Sequence, residues 1–114
     1  MNIIFYIEAG CLGPHGQHYI KAFCRAFARM LAHQPQLNGL HVEPRPRTKQ
    51  REEEIQYFSP ERAERACRDI EVTTRLLPLK LTRDSLETML INLATDYEAS
   101  TEWDQLKAHL PQPE

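Results

Sequence analysis

The segment IIFYIE, residues 3–8, runs straight into Gly10, Gly13 and Gly16 and from there into a periodic apolar pattern. A run of branched and aromatic side chains stopped by glycine reads as a buried strand. From Gln17 to His33 the apolar residues Ile20, Phe23, Cys24, Phe27, Met30 and Leu31 recur at steps of three and four. Lys21, Arg25 and Arg29 lie four apart on another side, so the segment is an amphipathic helix. A strand joined to a helix by a short glycine turn therefore fixes the first third of the chain as α plus β. Pro35 and the pair Asn38-Gly39 end the helix and turn the chain.

The rest of the chain supplies further strands and helices. LHVEPRPR, from Leu40, alternates apolar and polar residues, and Pro44 and Pro46 place it at a sheet edge. TKQREEE is a charged reversal, and EIQYF (54–58) returns as a strand, which predicts a hairpin with a long loop. Ser59-Pro60-Glu61 has the cap hydroxyl, first-turn proline and acid of a helix start, with Ala63, Ala66, Cys67 and Ile70 as the inner face. VTTRLLPLKL (72–81) reads as a strand interrupted at Pro78. Asp84 and Glu87 form a capping-box-like start for a helix striped by Leu86, Met89, Leu90, Leu93 and Tyr97. Ser100 or Thr101 then caps a final segment with Trp103, Leu106 and Leu110 on one side, a stripe expected to close the core.

This order, βαββαβ with one or two appended C-terminal helices, resembles the split βαβ of ferredoxin-like domains, an antiparallel sheet with two helices on one face. If residues 72–81 are helical, the order becomes βαββα plus helices. A length of 114 residues fits a single α+β domain, with a core to about residue 97 and an acidic helical segment from about 98 to 114. Hydrophobic residues at 41% and charged ones at 26% place the chain in the ordinary globular range. Three widely spaced cysteines, Cys11, Cys24 and Cys67, argue for free thiols in a reducing compartment, and a cytoplasmic location is the expectation. Glu8 interrupts the N-terminal apolar run, so no membrane span or signal segment is expected there.

Chemistry concentrates in the glycine turn. Between a strand and a helix, Gly10, Gly13, Gly16, His15 and His18 make a candidate anion or small-ligand site, because unpaired N–H groups and the positive end of the helix dipole converge there. Cys11, His15 and His18 offer a thiolate and two imidazoles as candidate metal ligands, short of a fourth group. FYIEAGCLGPH also resembles the strand and active-site turn of thioredoxin-type proteins, but Gly13-Pro14 follows Cys11-Leu12 and the second cysteine is absent. No motif for nucleophilic or metal-dependent hydrolysis is present, no catalytic residue is nominated, and no cofactor is expected. Phe5, Tyr6, Tyr57 and Phe58 lie on the first and third strands, where a base-stacking platform would sit. A net charge of −2 and the lack of a basic-aromatic signature set nucleic acid aside as a partner.

Charge is segregated along the chain. Residues 9–51 hold seven Lys or Arg against Glu43 alone, whereas residues 84–114 hold seven acids against Lys107 alone. These features predict a small binding or regulatory module that recognises an acidic protein surface through Lys21, Arg25, Arg29, Arg45 and Arg47. A homodimer through a sheet edge or face is the accompanying expectation. The alternative is a ligand binder or enzyme built on the turn from Gly10 to His18.

Overall fold

The computed structural model describes residues 1–48, 54–59 and 62–112, with the side chains of 62–65 left aside. It is a mixed α+β structure. The strands are β1 (Asn2–Ile7), β2 (His41–Pro46), β3 (Ile55–Ser59) and β4 (Arg62–Ala66), and the helices are α1 (Gly16–Ala32), α2 (Asp69–Leu76), α3 (Arg83–Glu98) and α4 (Thr101–Ala108). Short 3-10 turns occupy Ala9–Leu12, Pro35–Leu37 and Leu77–Leu79.

The body of the sheet is three-stranded, β2-β1-β3, and β4 extends it beyond β3 through an irregular ladder shifted between Phe58 and Ser59. β2 runs parallel to β1 from Asn2↔His41 to Ile7↔Pro46, and β3 runs antiparallel to β1. The ferredoxin-like arrangement is thereby corrected. A split βαβ unit holds an antiparallel strand between its two parallel strands, whereas here β2 bonds directly to β1. The hairpin expected from β2 and β3 is absent for the same reason, since β1 lies between them. The charged reversal at 49–53 and the Pro60-Glu61 pair fall outside the described residues.

Two further expectations are exchanged. The chain expected as a helix after Ser59 forms β4 over Arg62–Ala66, and Cys67 leaves it extended, its N–H donating to the Tyr57 carbonyl at 2.8 Å. The segment expected as a strand at 72–81 is instead α2 followed by the 3-10 turn. Val72 and Leu76 are fully buried at steps of four, a helical spacing that the β-branched VTT run obscures. The alternative order anticipated a helix here but not β4.

The prolines of β2 obey the register. His41 and Arg47 donate their N–H groups to the carbonyls of Met1, just before β1, and of Ile7 at its end. By the two-residue period, the N–H positions of residues 42, 44 and 46 then point away from β1, toward the free edge. Pro44 and Pro46 occupy two of those three positions, so the outer edge of β2 has almost no donors with which to add a strand. Dimerisation by strand addition at this edge is disfavoured.

All four helices share one core with one face of the sheet. Ile3, Phe5 and Ile7 alternate inward with Val42, Ile55 and Tyr57. Phe5 meets Phe27 of α1 edge-on at 6.3 Å, and the Tyr57 hydroxyl donates to Glu87 of α3 at 3.0 Å. Behind this layer lies an aromatic cluster: Phe23 of α1 packs on Trp103 of α4 at 5.1 Å and on Tyr97 of α3 at 5.7 Å. Trp103 is 1% exposed, so the C-terminal stripe does close the core. Local chemistry sets the helix starts. Thr82 and Ser85 exchange side-chain and backbone hydrogen bonds in a capping box, two residues ahead of the expected Asp84–Glu87 start, and Ser100 accepts from the Trp103 N–H at 3.2 Å. Among the described residues no helix is long and apolar enough to cross a membrane.

Removing the Trp103 ring leaves a cavity where three helices meet. Trp103→Ala is expected to cost about 3–5 kcal/mol by urea unfolding, a large share of the roughly 5–15 kcal/mol that holds a domain together. A loss below about 1 kcal/mol would place Trp103 outside the core.

Candidate functional site

The glycine turn is built for shape. Gly13 has φ +89°, a left-handed backbone that favours glycine. A Cβ on Gly16 would lie 1.7 Å from the Ala9 carbonyl oxygen, so only glycine lets α1 start against the preceding 3-10 turn. Gly10 meets nothing and carries no such demand.

Four N–H donors of the turn are committed to its own carbonyls. The N–H groups of Cys11, Gly13, Gly16 and His18 donate to Glu8, Gly10, Gly13 and His15 carbonyls at 3.0–3.3 Å. They hold the chain reversal together and are not available to an anion. His18 points elsewhere: its Nε2 pairs with the Pro111 carbonyl at 2.5 Å, and its ring stands edge-on to Tyr19 at 4.7 Å. His15 precedes α1 as an exposed residue whose side chain makes no cap. Among the described residues there is no group of three or more His, Cys, Asp or Glu placed to hold a metal, so Cys11, His15 and His18 do not converge on one.

Cys11 instead lines a pocket. A cavity of about 150 Å³ opens where β1 and β2 end, bounded by Ile7 and Glu8 of the β1 end, Cys11 and Leu12 of the turn, and Arg47 just past β2. Its floor is Phe5 and Phe23, and α3 closes it with Ile91, Ala94, Thr95 and Glu98, while Glu54 enters from the start of β3. The carboxyl ends of adjacent parallel strands are where α/β sheets place ligands, because the loops diverge there. In the sequence Cys11 stands out as a candidate metal ligand, Arg47 as a partner-binding residue and Phe5 and Tyr6 as strand aromatics, each for a different surface. Arg47, Glu54 and Glu98 come from segments far apart, and no local pattern joins them.

The five basic residues expected to form one surface are divided by the fold. Lys21, Arg25 and Arg29 are exposed on α1, opposite its buried stripe Ile20, Phe23, Phe27 and Leu31. Arg45 belongs to the sheet face turned away from the helices, where it pairs with Glu43 at 2.7 Å. Arg47 belongs to the pocket and already has a partner. No carboxylate of the described residues pairs with Lys21, Arg25 or Arg29, whereas Arg68, Arg83 and Lys107 pair with Glu71, Asp69 or Glu87, and Asp104. The acidic C-terminal helices therefore leave the ridge unneutralised by direct ion pairs. Phe5 and Tyr57 are buried beneath the helices, and Tyr6 on the other face is 6% exposed with its hydroxyl donating to Gln56, so the four strand aromatics form no shared platform.

No family model matches the chain, and no curated protein or solved structure matches it either. Cys11 stands in the turn of a βαβ unit, but position 14, where a second thiol would complete the dithiol motif, is Pro14.

The three thiols differ in setting. Cys11 is exposed, Cys67 is half-buried, and Cys24 is buried in α1, where burial pushes its thiol up to about 11 from an ordinary 9.0. Burial, followed by the hydrogen bond to Glu87, also raises the Tyr57 phenol. Both groups hold their protons longer folded than unfolded, so stability is complete below the unfolded values: the Cys24 share is lost as pH rises from 9.0 through about 11, and the Tyr57 share begins to be lost only above its ordinary 10.0. Unfolding free energy is expected to fall across that window by up to about 1.4 kcal/mol per pH unit for each group, and a Cys24→Ala variant to fall less steeply. A flat profile would contradict the burial of both. Gly16→Ala is expected to destabilise by about 2 kcal/mol or more, and Gly10→Ala to stay within about 0.5 kcal/mol. Equal effects in thermal melts would contradict the packing of Gly16 on Ala9.

Proposed function

We propose that the protein is a binding module that recognises an acidic surface on a protein partner through the outward ridge of α1, without catalysis. The observation that supports this reading is the ridge itself. Lys21, Arg25 and Arg29 are three exposed cations spaced one turn apart, spanning about 12 Å of helix, with no ion-pair partner among the described residues. A row of fixed positive charge on a chain of net charge −2 orients an acidic partner and raises its encounter rate more than it adds affinity.

Arg45 and Arg47, expected to share this surface, belong to other parts of the fold, so the reading narrows to α1. His18 lies on the same side of the helix as the ridge, one turn before Lys21, with the C-terminal segment at Pro111 seated against it. The ridge is therefore bounded at one end by the segment at Pro111. The strand-to-helix turn, four of whose N–H groups are spent on its own carbonyls, is the weaker candidate for an anion.

The triple variant Lys21→Glu, Arg25→Glu, Arg29→Glu is expected to cut affinity-captured partner at least tenfold relative to the unaltered chain, while melting within a few degrees of it. Arg45→Glu is expected to leave capture unchanged. Binding to the unaltered chain should weaken as salt rises, because exposed charges are screened within about 8 Å at physiological ionic strength. Equal capture by the triple variant, or equal loss with Arg45→Glu, would overturn the assignment to the ridge.

A further inference from the structure

The pocket at the ends of β1 and β2 has a chemistry distinct from the ridge. Its floor, Phe5 and Phe23, is apolar, and Ile7, Leu12, Ile91 and Ala94 continue that character up its sides. Its volume, about 150 Å³, matches a cavity known to accept one benzene molecule. The space suits a single ring or a branched chain of similar size, well below the roughly 300–1,000 Å³ of sites for larger ligands.

The rim decides what such a group must carry. Glu8, Glu54 and Glu98 reach the cavity from the β1 end, the β3 start and α3, against one cation, Arg47, which already has a partner. An excess of carboxylates around an apolar recess favours a cation whose body enters the recess and whose charge stays at the wet rim. An anion of equal size would meet repulsion from three sides.

We propose that this pocket binds a small organic ammonium ion bearing one ring-sized apolar group, with Leu12, Ile91 and Ala94 against the ring, Phe5 and Phe23 beneath it, and Glu8, Glu54 and Glu98 around the ammonium. The site is independent of the α1 ridge, which lies on the opposite side of that helix from Phe23, so failure of either assignment leaves the other standing.

Three probes of one shape separate charge from size: benzylamine as its ammonium ion, benzyl alcohol, and benzoate, each titrated into the full chain and followed by backbone amide shifts. Benzylamine is expected to give saturable shifts confined to residues 5–12, 47, 54 and 91–98, benzyl alcohol weaker shifts at the same residues, and benzoate none. Glu98→Gln and, separately, Glu54→Gln are each expected to weaken benzylamine about two- to fivefold, as for a charge pair at a wet rim, with no effect on benzyl alcohol. Saturating benzylamine should also slow alkylation of Cys11 by N-ethylmaleimide while leaving Cys67 unprotected. Absence of saturable shifts at these residues, benzoate binding as well as benzylamine, or benzyl alcohol matching benzylamine would each overturn the proposal.

Discussion

The direct parallel pairing of β1 with β2 is the constraint from which the other features follow. A parallel pair requires a crossover, and α1 supplies it. With β2 seated against β1, both strands end on the same side of the molecule, so the turn holding Cys11 and the chain leaving at Arg47 meet at one pocket. The same register turns the missing donors of Pro44 and Pro46 outward, where they end the sheet. Had β2 lain beyond β3, those prolines would have interrupted a different set of bonds.

A second layer of constraint comes from aromatic packing. α1 has no side-chain cap at its start and depends on tertiary contacts for much of its stability, as amphipathic helices do. Phe23 and Phe27 receive Tyr97 and Trp103, so the acidic C-terminal helices are fastened by rings rather than by ion pairs with the basic ridge. That division leaves Lys21, Arg25 and Arg29 in solvent and directs the buried side of the same helix at the pocket floor through Phe23. One helix thus separates a charged outer surface from a small apolar recess.

Where the local signal was strong, the sequence was a sound guide. The apolar run of β1, the periodicity of α1 and α3, the Ser100 cap and the inward stripe of Trp103 each depend on residues a few positions apart. Two kinds of feature were not legible. Residues 62–70 carry the alanines and charges of a helix, yet Arg62–Ala66 complete a ladder on β3, where non-local pairing outweighs propensity. The branched residues of 72–74 suggest a strand, yet Val72 and Leu76 find a helical partner surface in the shared core. Strand order was equally hidden, because alternation reports which face of a strand is buried and says nothing of its neighbour. The pocket shares that blindness: Glu8, Arg47, Glu54 and Glu98 become neighbours only once β1 is central.

The most direct measurement is the pattern of interstrand nuclear Overhauser effects in the full chain, read together with amide exchange in β2. Central placement of β1 predicts contacts linking Ile3 with Val42 and Tyr6 with Arg45, and slow exchange at the Arg47 amide, whose N–H donates to Ile7. Contacts pairing residues 41–46 antiparallel with residues 55–59, with none to β1, would contradict the account, because β2 and β3 would then form the hairpin of a split unit and the pocket would lose its wall.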